Sequence, residues 1–271
     1  FLMLVAAALA QAQEQPDPRL IRAADEVALA YVVTGNAEVD AASEAGLRGI
    51  SQVLAARTTV EPGAPIGLDL DRDDLSLLTF IYWPVTDSQP SPSPQAYVRL
   101  NHFLRSGGVI LFDTRDGDIA GLGGPDGAAA LQRLAAPLDI PPLAPVRRDH
   151  VLTRTFYLLQ DFPGRYQGRD IWAEAPPADA AAAEGVPFRS LNDGVSPVII
   201  GGNSWAEAWA VDDSGLPMFS VGSGLDGERQ REMANRFGVN LIMYVLTGNY
   251  KSDQVHVPAL LDRLRQEEAI R

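Results

Sequence analysis

The sequence predicts an α/β fold with a mostly parallel sheet covered by helices on both faces. Three observations point there. Several short runs are apolar throughout instead of alternating, as strands buried on both faces must be. Stretches with helical spacing separate them and supply the crossovers that parallel strands require. Each run ends at glycine, proline or a polar turn.

The elements follow in order. Residues 27–34 are apolar and β-branched, a buried strand that stops at Gly35-Asn36. A helix is expected over 39–56, where Ala42, Leu47, Ile50, Val53 and Leu54 fall near helical spacing. Pro62, Gly63, Pro65 and Gly67 then break the chain, and residues 75–83 read as a second strand closed by Pro84. Residues 88–94 hold three prolines and read as a loop. A helix over 94–105 ends in Gly107-Gly108, where glycine takes the left-handed cap. Residues 109–112 are a short buried strand running into Asp113-Thr114-Arg115-Asp116. A glycine-rich stretch (117–127), a helix (128–136) and a loop (137–145) come next. The Ala/Pro/Asp segment near 175–186 reads as a surface insertion with no core to build. Residues 195–201 are another buried strand, and 205–211 are apolar enough to extend it or pair with it. The longest helix is expected over 227–246, with Met233, Phe237, Leu241, Tyr244 and Val245 on one face and Gly248 as its cap. A last helix over 257–268 starts with Pro258 at an early position.

With 271 residues, 46% of them hydrophobic, the chain can bury the core of one larger α/β domain. That domain is assigned to residues 21–271, and residues 1–20 to a cut membrane or signal segment plus a linker. The first ten residues are apolar, but spanning a bilayer takes about 20. One reading makes them the tail of a signal peptide, with Ala8-Leu9-Ala10 as the cleavage motif. Another makes them half of a transmembrane helix, and a third a buried core helix. Pro16 and Pro18 forbid helix continuation into the polar stretch that follows. On either of the first two readings the domain lies outside the cytoplasm.

Composition removes whole classes of function. Acidic residues number 35 against 22 basic ones, a net charge of −13, which excludes non-specific binding to a nucleic-acid backbone. The chain has no cysteine, so disulfides, thiolate metal sites, iron–sulfur clusters and a cysteine nucleophile are excluded. The histidines are His102, His150 and His256, too few for a histidine-rich metal centre. Neither a metal nor a cofactor is expected.

Ligands of open parallel sheets sit at the carboxyl ends of the strands. Four such places exist: Gly35-Asn36, Trp83-Pro84, residues 113–118 and residues 201–205. The densest is the 113–118 cluster, where three carboxylates near Arg115 suit a cation or a phosphate; a capped, ion-paired turn is the alternative. Asp69, Asp71 and Asp73 open like a calcium loop, but Asp74 stands where glycine is needed and Phe80 where the bidentate Glu is needed, so a solvated turn is expected. Gly202-Asn203-Ser204-Trp205-Ala206 follows a strand and nearly matches the nucleophile elbow G-x-S-x-G, with His256 downstream. Its final glycine is missing, and an extended segment after Ser204 would contradict an elbow. His150 lies among Arg147, Arg148, Arg154 and, farther on, Arg165, a pattern that suits an anion site or a hydrogen-bonded structural histidine.

Several stretches together resemble the bacterial family called domain of unknown function 4159. They are residues 30–36, 107–116, 150–158, 162–165, 229–232 with 236–240, and the closing run 246–258. The resemblance implies a flavodoxin-like, three-layer α/β/α fold of the class I glutamine amidotransferase-like group. It also implies a C-terminal position behind a BatA-like (aerotolerance regulator) membrane region, hence a bacterial inner-membrane protein with this domain on the periplasmic side. In that fold group a cysteine nucleophile sits on the turn after a strand that follows Gly-Gly. Here Gly107-Gly108 and residues 109–112 resemble that strand, Asp113-Thr114 stand at the turn, and no cysteine exists, so glutaminase chemistry is excluded.

The first functional expectation is therefore a non-catalytic, membrane-anchored domain that binds a small molecule or a membrane-protein partner, and not nucleic acid. Its ligand-binding candidates are Asn36, Thr114, Arg115, Arg154, Asn203 and Trp205. A second is a hydrolase with Asp113, Asp116 and His150 as catalytic candidates, joined by Arg115 and Asn203; it requires these side chains to converge. A third is carbohydrate binding, with Trp83, Trp172, Trp205 and Trp209 as stacking surfaces or, alternatively, as core.

Overall fold

The computed structural model describes residues 26–117, 127–167, 170–176 and 194–268, with 248–268 as helical backbone. The expected segment 1–20 lies outside the described residues, as does the insertion near 175–186 apart from Ala175 and Pro176. The elements run β1 (Leu29–Val32), α1 (Ala37–Arg57), β2 (Ile66–Leu68), β3 (Phe80–Pro84), α2 (Pro94–Arg105), β4 (Val109–Asp113) and α3 (Ala128–Ala135). β5 (Leu143–Pro145), a 3-10 turn (Val151–Thr153), β6 (Trp172–Glu174), β7 (Val198–Gly201), α4 (Trp205–Trp209) and α5 (Gly224–Glu268) complete them.

One seven-stranded sheet has the order β2-β1-β3-β4-β7-β6-β5. Its first five strands pair in parallel, and β6 and β5 add an antiparallel edge. Helices cover both faces, which makes this a flavodoxin-like three-layer α/β/α fold. Alternation along the strands sorts the core in two. Leu29, Tyr31, Phe80, Tyr82, Val109 and Leu111 pack with α1, α4 and α5. Ala30, Val32, Ile81, Trp83, Ile110 and Phe112 pack with α2 and α3. Apolar residues on both sides of one strand are why the strands read as unbroken apolar runs.

Four expectations are corrected. Residues 205–211 are not extended: Trp205–Trp209 is a helix with every residue buried, and a fully buried helical turn has no polar face to betray it. The expected strand 75–83 is a strand only from Phe80, because residues 70–77 form turns. β2 falls where the chain was expected to break and β5 where a loop was expected, and β6 had no expectation; at three residues each they are too short to show a period. Gly248 does not cap a helix, and 257–268 is not a separate one: α5 runs on through both. A helical glycine costs only about 1 kcal/mol relative to alanine, which is no barrier inside a long helix. Among the described residues no helix is long and apolar enough to cross a membrane.

Candidate functional site

The densest polar arrangement stands where β4 and β7 end. Asp113 is the last residue of β4 and is fully buried. Alternation puts it on the same face as Leu111, beneath α4. In-register pairing with Gly201 brings the end of β7 beside it, and the Thr114 amide continues the ladder to the Gly201 carbonyl at 2.8 Å.

Four donors converge on the Asp113 carboxylate. Oδ2 accepts from the Tyr82 hydroxyl (2.8 Å) and the Trp205 amide (2.8 Å). Oδ1 accepts from the amides of Arg115 (3.1 Å) and Ser204 (3.2 Å). One side chain thus ties β3, β4 and the start of α4 together. Burial pushes its carboxyl up to about 6, although the Trp205 amide, the Tyr82 hydroxyl and Arg115 all favour the ionised form. Burial also holds the Tyr82 hydroxyl well above its usual range, and the Asp113 charge adds to it.

Two turns carry strain. Arg115 and Ser204 are the described non-glycine residues with positive φ, at 57° and 54°. Such angles are costly for residues with a Cβ and persist only where the surroundings fix them. Here both backbone amides are fixed on Asp113. The Arg115 side chain then reaches α4, where Nη2 donates to Glu207 Oε1 at 2.9 Å. Arg165 Nη1 donates to the other Glu207 oxygen at 2.8 Å, and its guanidinium also lies over Phe219 and Tyr166. Glu207 is one-tenth exposed, whereas Arg115 and Arg165 keep about a quarter to a third of their side chains in solvent. The Arg115 charge is favoured on balance: burial opposes it, and Tyr82, Glu207 and Asp113 outweigh burial.

Asp116 locks the outer side of the turn. Thr114 Oγ1 lies 2.6 Å from Asp116 Oδ1 and 3.1 Å from the Gly201 carbonyl, and the Gly127 amide donates to Asp116 Oδ2 at 3.1 Å. Gly202 makes this possible, since a Cβ there would stand 2.3 Å from Asp116 Oδ1. Asn203 is buried, with Nδ2 donating to the Phe162 carbonyl and its backbone carbonyl accepting from the Tyr166 amide.

Of the expected site residues, Asp113, Thr114, Arg115, Asp116, Asn203 and Trp205 come together here. Trp205 does so through its amide; its ring is core, packed on Phe237 at 5.0 Å, and its indole N–H donates to the Phe162 carbonyl. The remaining three stand elsewhere. Asn36 caps α1 by accepting from the Glu38 and Val39 amides. His150 caps the 3-10 turn by accepting from the Leu152 amide, and burial lowers its basicity. Its ring lies 5.8 Å from that of Tyr244, whose hydroxyl bonds Ser196 just before β7. That is the amino edge of the sheet, opposite Asp113, so the convergence a hydrolase with His150 required does not occur. Arg154 is exposed and donates to the Asp149 carbonyl on the same loop. The tryptophans do not form a stacking surface either: Trp83, Trp205 and Trp209 are buried and Trp172 alone is exposed.

Tyr82 and Glu207 were not anticipated. Glu207 had a signal, being the single acidic residue between Trp205 and Val211 in an otherwise apolar run. Tyr82 had none, because its partner is set by pairing between strands. The turn into α4 is also closer to an elbow than expected, since strand, strained Ser204 and helix follow directly. Ser204 is 2% exposed, however, and among the described residues neither His102 nor His150 contacts it. His256 lies beyond the described side chains.

Chemically the arrangement is a frame more than an acid–base pair. A carboxyl near 6 has a suitable acidity for a general base, but a base must reach its substrate. Asp113 has no exposed surface, and both its oxygens are spent on internal donors. Among the described residues no three His, Asp or Glu side chains are grouped to hold a metal ion. The family model described as domain of unknown function 4159 matches residues 28–246. Comparison with curated proteins yields no match.

Proposed function

The chain belongs to the domain of unknown function 4159 family, and from that premise we propose that it is a non-catalytic binding domain of a membrane-anchored bacterial protein. The binding edge is the carboxyl edge of the sheet, where Arg115 and Arg165 share Glu207. The observation that carries this reading is the saturation of Asp113. Asp113, the most deeply buried carboxyl at the turn, holds four donors in place and offers none of its oxygens to a substrate. In the class I glutamine amidotransferase-like comparison this turn is where a nucleophile belongs, and the chain has no cysteine to fill it. What remains partly in solvent is a pair of arginines held in fixed positions, suited to a carboxylate or phosphate on a small molecule or a membrane-protein partner.

Anchoring, through a BatA-like region preceding the domain and with the domain on the periplasmic side, belongs to the same reading. The test joins fractionation to a pull-down from detergent-solubilised membranes. The protein should fractionate with membranes, and Arg115→Ala with Arg165→Ala should lose a partner that the unaltered protein retains. A freely soluble protein with identical recovery from both forms would end the proposal.

A hydrolase is the second reading, favoured by the strained Ser204 between strand and helix. Hydrolysis of an activated ester that disappears in Ser204→Ala would establish it against the first.

A further inference from the structure

We propose that the loop over residues 151–160 is a second binding surface, one that seats the folded domain on an anionic lipid bilayer. The loop is a built structure. The Leu159 amide bonds the Thr153 carbonyl at 2.8 Å and closes it at its base. Fully buried Asn240 holds it from below: Oδ1 accepts from the Tyr157 amide at 2.7 Å, and Nδ2 donates to the Leu152 and Tyr157 carbonyls. Leu152 and Leu159 anchor it in the core. With the base fixed, Val151, Phe156 and Leu158 stand outward at 54%, 45% and 85% exposure. Single exposed apolar residues are common, but three large ones within eight residues of one pinned loop are a concentration.

Charge identifies the occupant. The chain as a whole carries −13. Around this loop the balance reverses. Arg147, Arg148 and Arg154 belong to the same stretch, and Arg57 and Arg236 flank Tyr157, sharing Glu232. Glu232 pairs with Arg57 and Arg236, and Asp149 lies 3.5 Å from Arg147; with Asp161 on the same stretch, three carboxylates stand against five arginines, and Arg148 and Arg154 are exposed. Apolar side chains to insert, ringed by cations to meet lipid phosphates, are what an anionic interface selects. The arginine ring gives no advantage to a purely apolar partner. The inference stands on the loop alone and does not depend on the anchoring reading or on the Arg115 edge.

The absence of cysteine makes the test clean. Gln160→Cys, exposed at the end of the loop, and Val98→Cys, exposed on α2 against the opposite face of the sheet, each give one labelling site in the whole chain. Each form carries an environment-sensitive dye. Each is mixed with phosphatidylcholine vesicles, or with vesicles in which about one-third is phosphatidylglycerol. The expected result is a blue shift with a several-fold intensity gain for the residue-160 dye on phosphatidylglycerol vesicles alone. The residue-98 dye should not respond. The response should fade with salt, with Phe156→Ser plus Leu158→Ser, and with Arg148→Ala plus Arg154→Ala, while the thermal midpoint holds. A residue-160 dye that stays aqueous while the chain sediments with vesicles would overturn the proposal, since another segment then makes the contact. So would a dye that responds to a solubilised membrane protein and not to vesicles, or a response the arginine variants leave intact.

Discussion

At the scale of the residue, Asp113 carries the most testable consequence. Its folded carboxyl lies near 6 and its unfolded one near 3.8. The group therefore favours the folded state most below the unfolded value, and that contribution is lost as pH rises through about 6. Asn never ionises. The stability difference between the wild type and Asp113→Asn should thus fall by on the order of 3 kcal/mol from about pH 3.5 to 7.5. Urea unfolding at a series of pH values reads it; a difference that is flat or grows with pH refutes the sign. Tyr82→Phe is the companion. It removes one donor from a buried carboxylate and leaves the ring in place, at a cost of about 1.5–3 kcal/mol. Because the lost bond supports the ionised form, the loss should be greater at about pH 8 than at about pH 5 in the same experiment. Asp113 was legible in the sequence as the first polar residue after an apolar strand. Tyr82 was not, since only the register of β3 against β4 places its hydroxyl beside that carboxylate.

At the scale of the element, the contact between α1 and α4 decides what the sequence showed and what it hid. α1 was legible because one face is apolar at helical spacing, whereas its cap, Asn36, read as a ligand-binding candidate. α4 was not, because Trp205 to Trp209 is buried all round and a buried turn of helix is indistinguishable from a short buried strand by pattern. The two helices approach through glycine. A Cβ on Gly49 would stand 1.9 Å from the Trp209 carbonyl oxygen, and one on Gly46 would stand 2.4 Å from that of Ala206. Those obstacles are backbone, which cannot swing aside. Propensity alone favours alanine over glycine in a helix by about 1 kcal/mol. Overpacking costs about 1–3 kcal/mol and occasionally more. Packing should win, so Gly49→Ala should be less stable than wild type despite the better helix former. A stabilised variant in thermal or urea unfolding would show that α4 yields. Because α4 carries Glu207 and the amides that hold Asp113, the same substitution should weaken any ligand of the Arg115 edge.

At the scale of the whole molecule, the sequence revealed the architecture because the physics behind it is repetitive: four of the five parallel strands, β1, β3, β4 and β7, are apolar runs bracketed by turn residues. It concealed both edges, because β2, β5 and β6 are three residues each and join through pairing that leaves no period. It also concealed the length of α5, since Gly248 reads as a stop. At 1.5 Å per residue a helix of 45 residues is about 68 Å long. A compact body of some 220 residues is only about 44 Å across. The helix therefore outruns the domain it packs on. Up to residue 247, α5 gives Ala234, Phe237, Val239, Leu241, Ile242, Tyr244 and Val245 to the core. The family match likewise closes at residue 246. A chain of residues 1–247 should then unfold cooperatively with the urea midpoint of the full chain, as followed by the fluorescence of Trp83, Trp205 and Trp209. These three are buried on both sides of the sheet and so report on both halves of the core. A lower midpoint would mean that the rest of α5 folds back onto the body. An unchanged one makes residues 248–268 an extension whose role lies outside the stability of the domain.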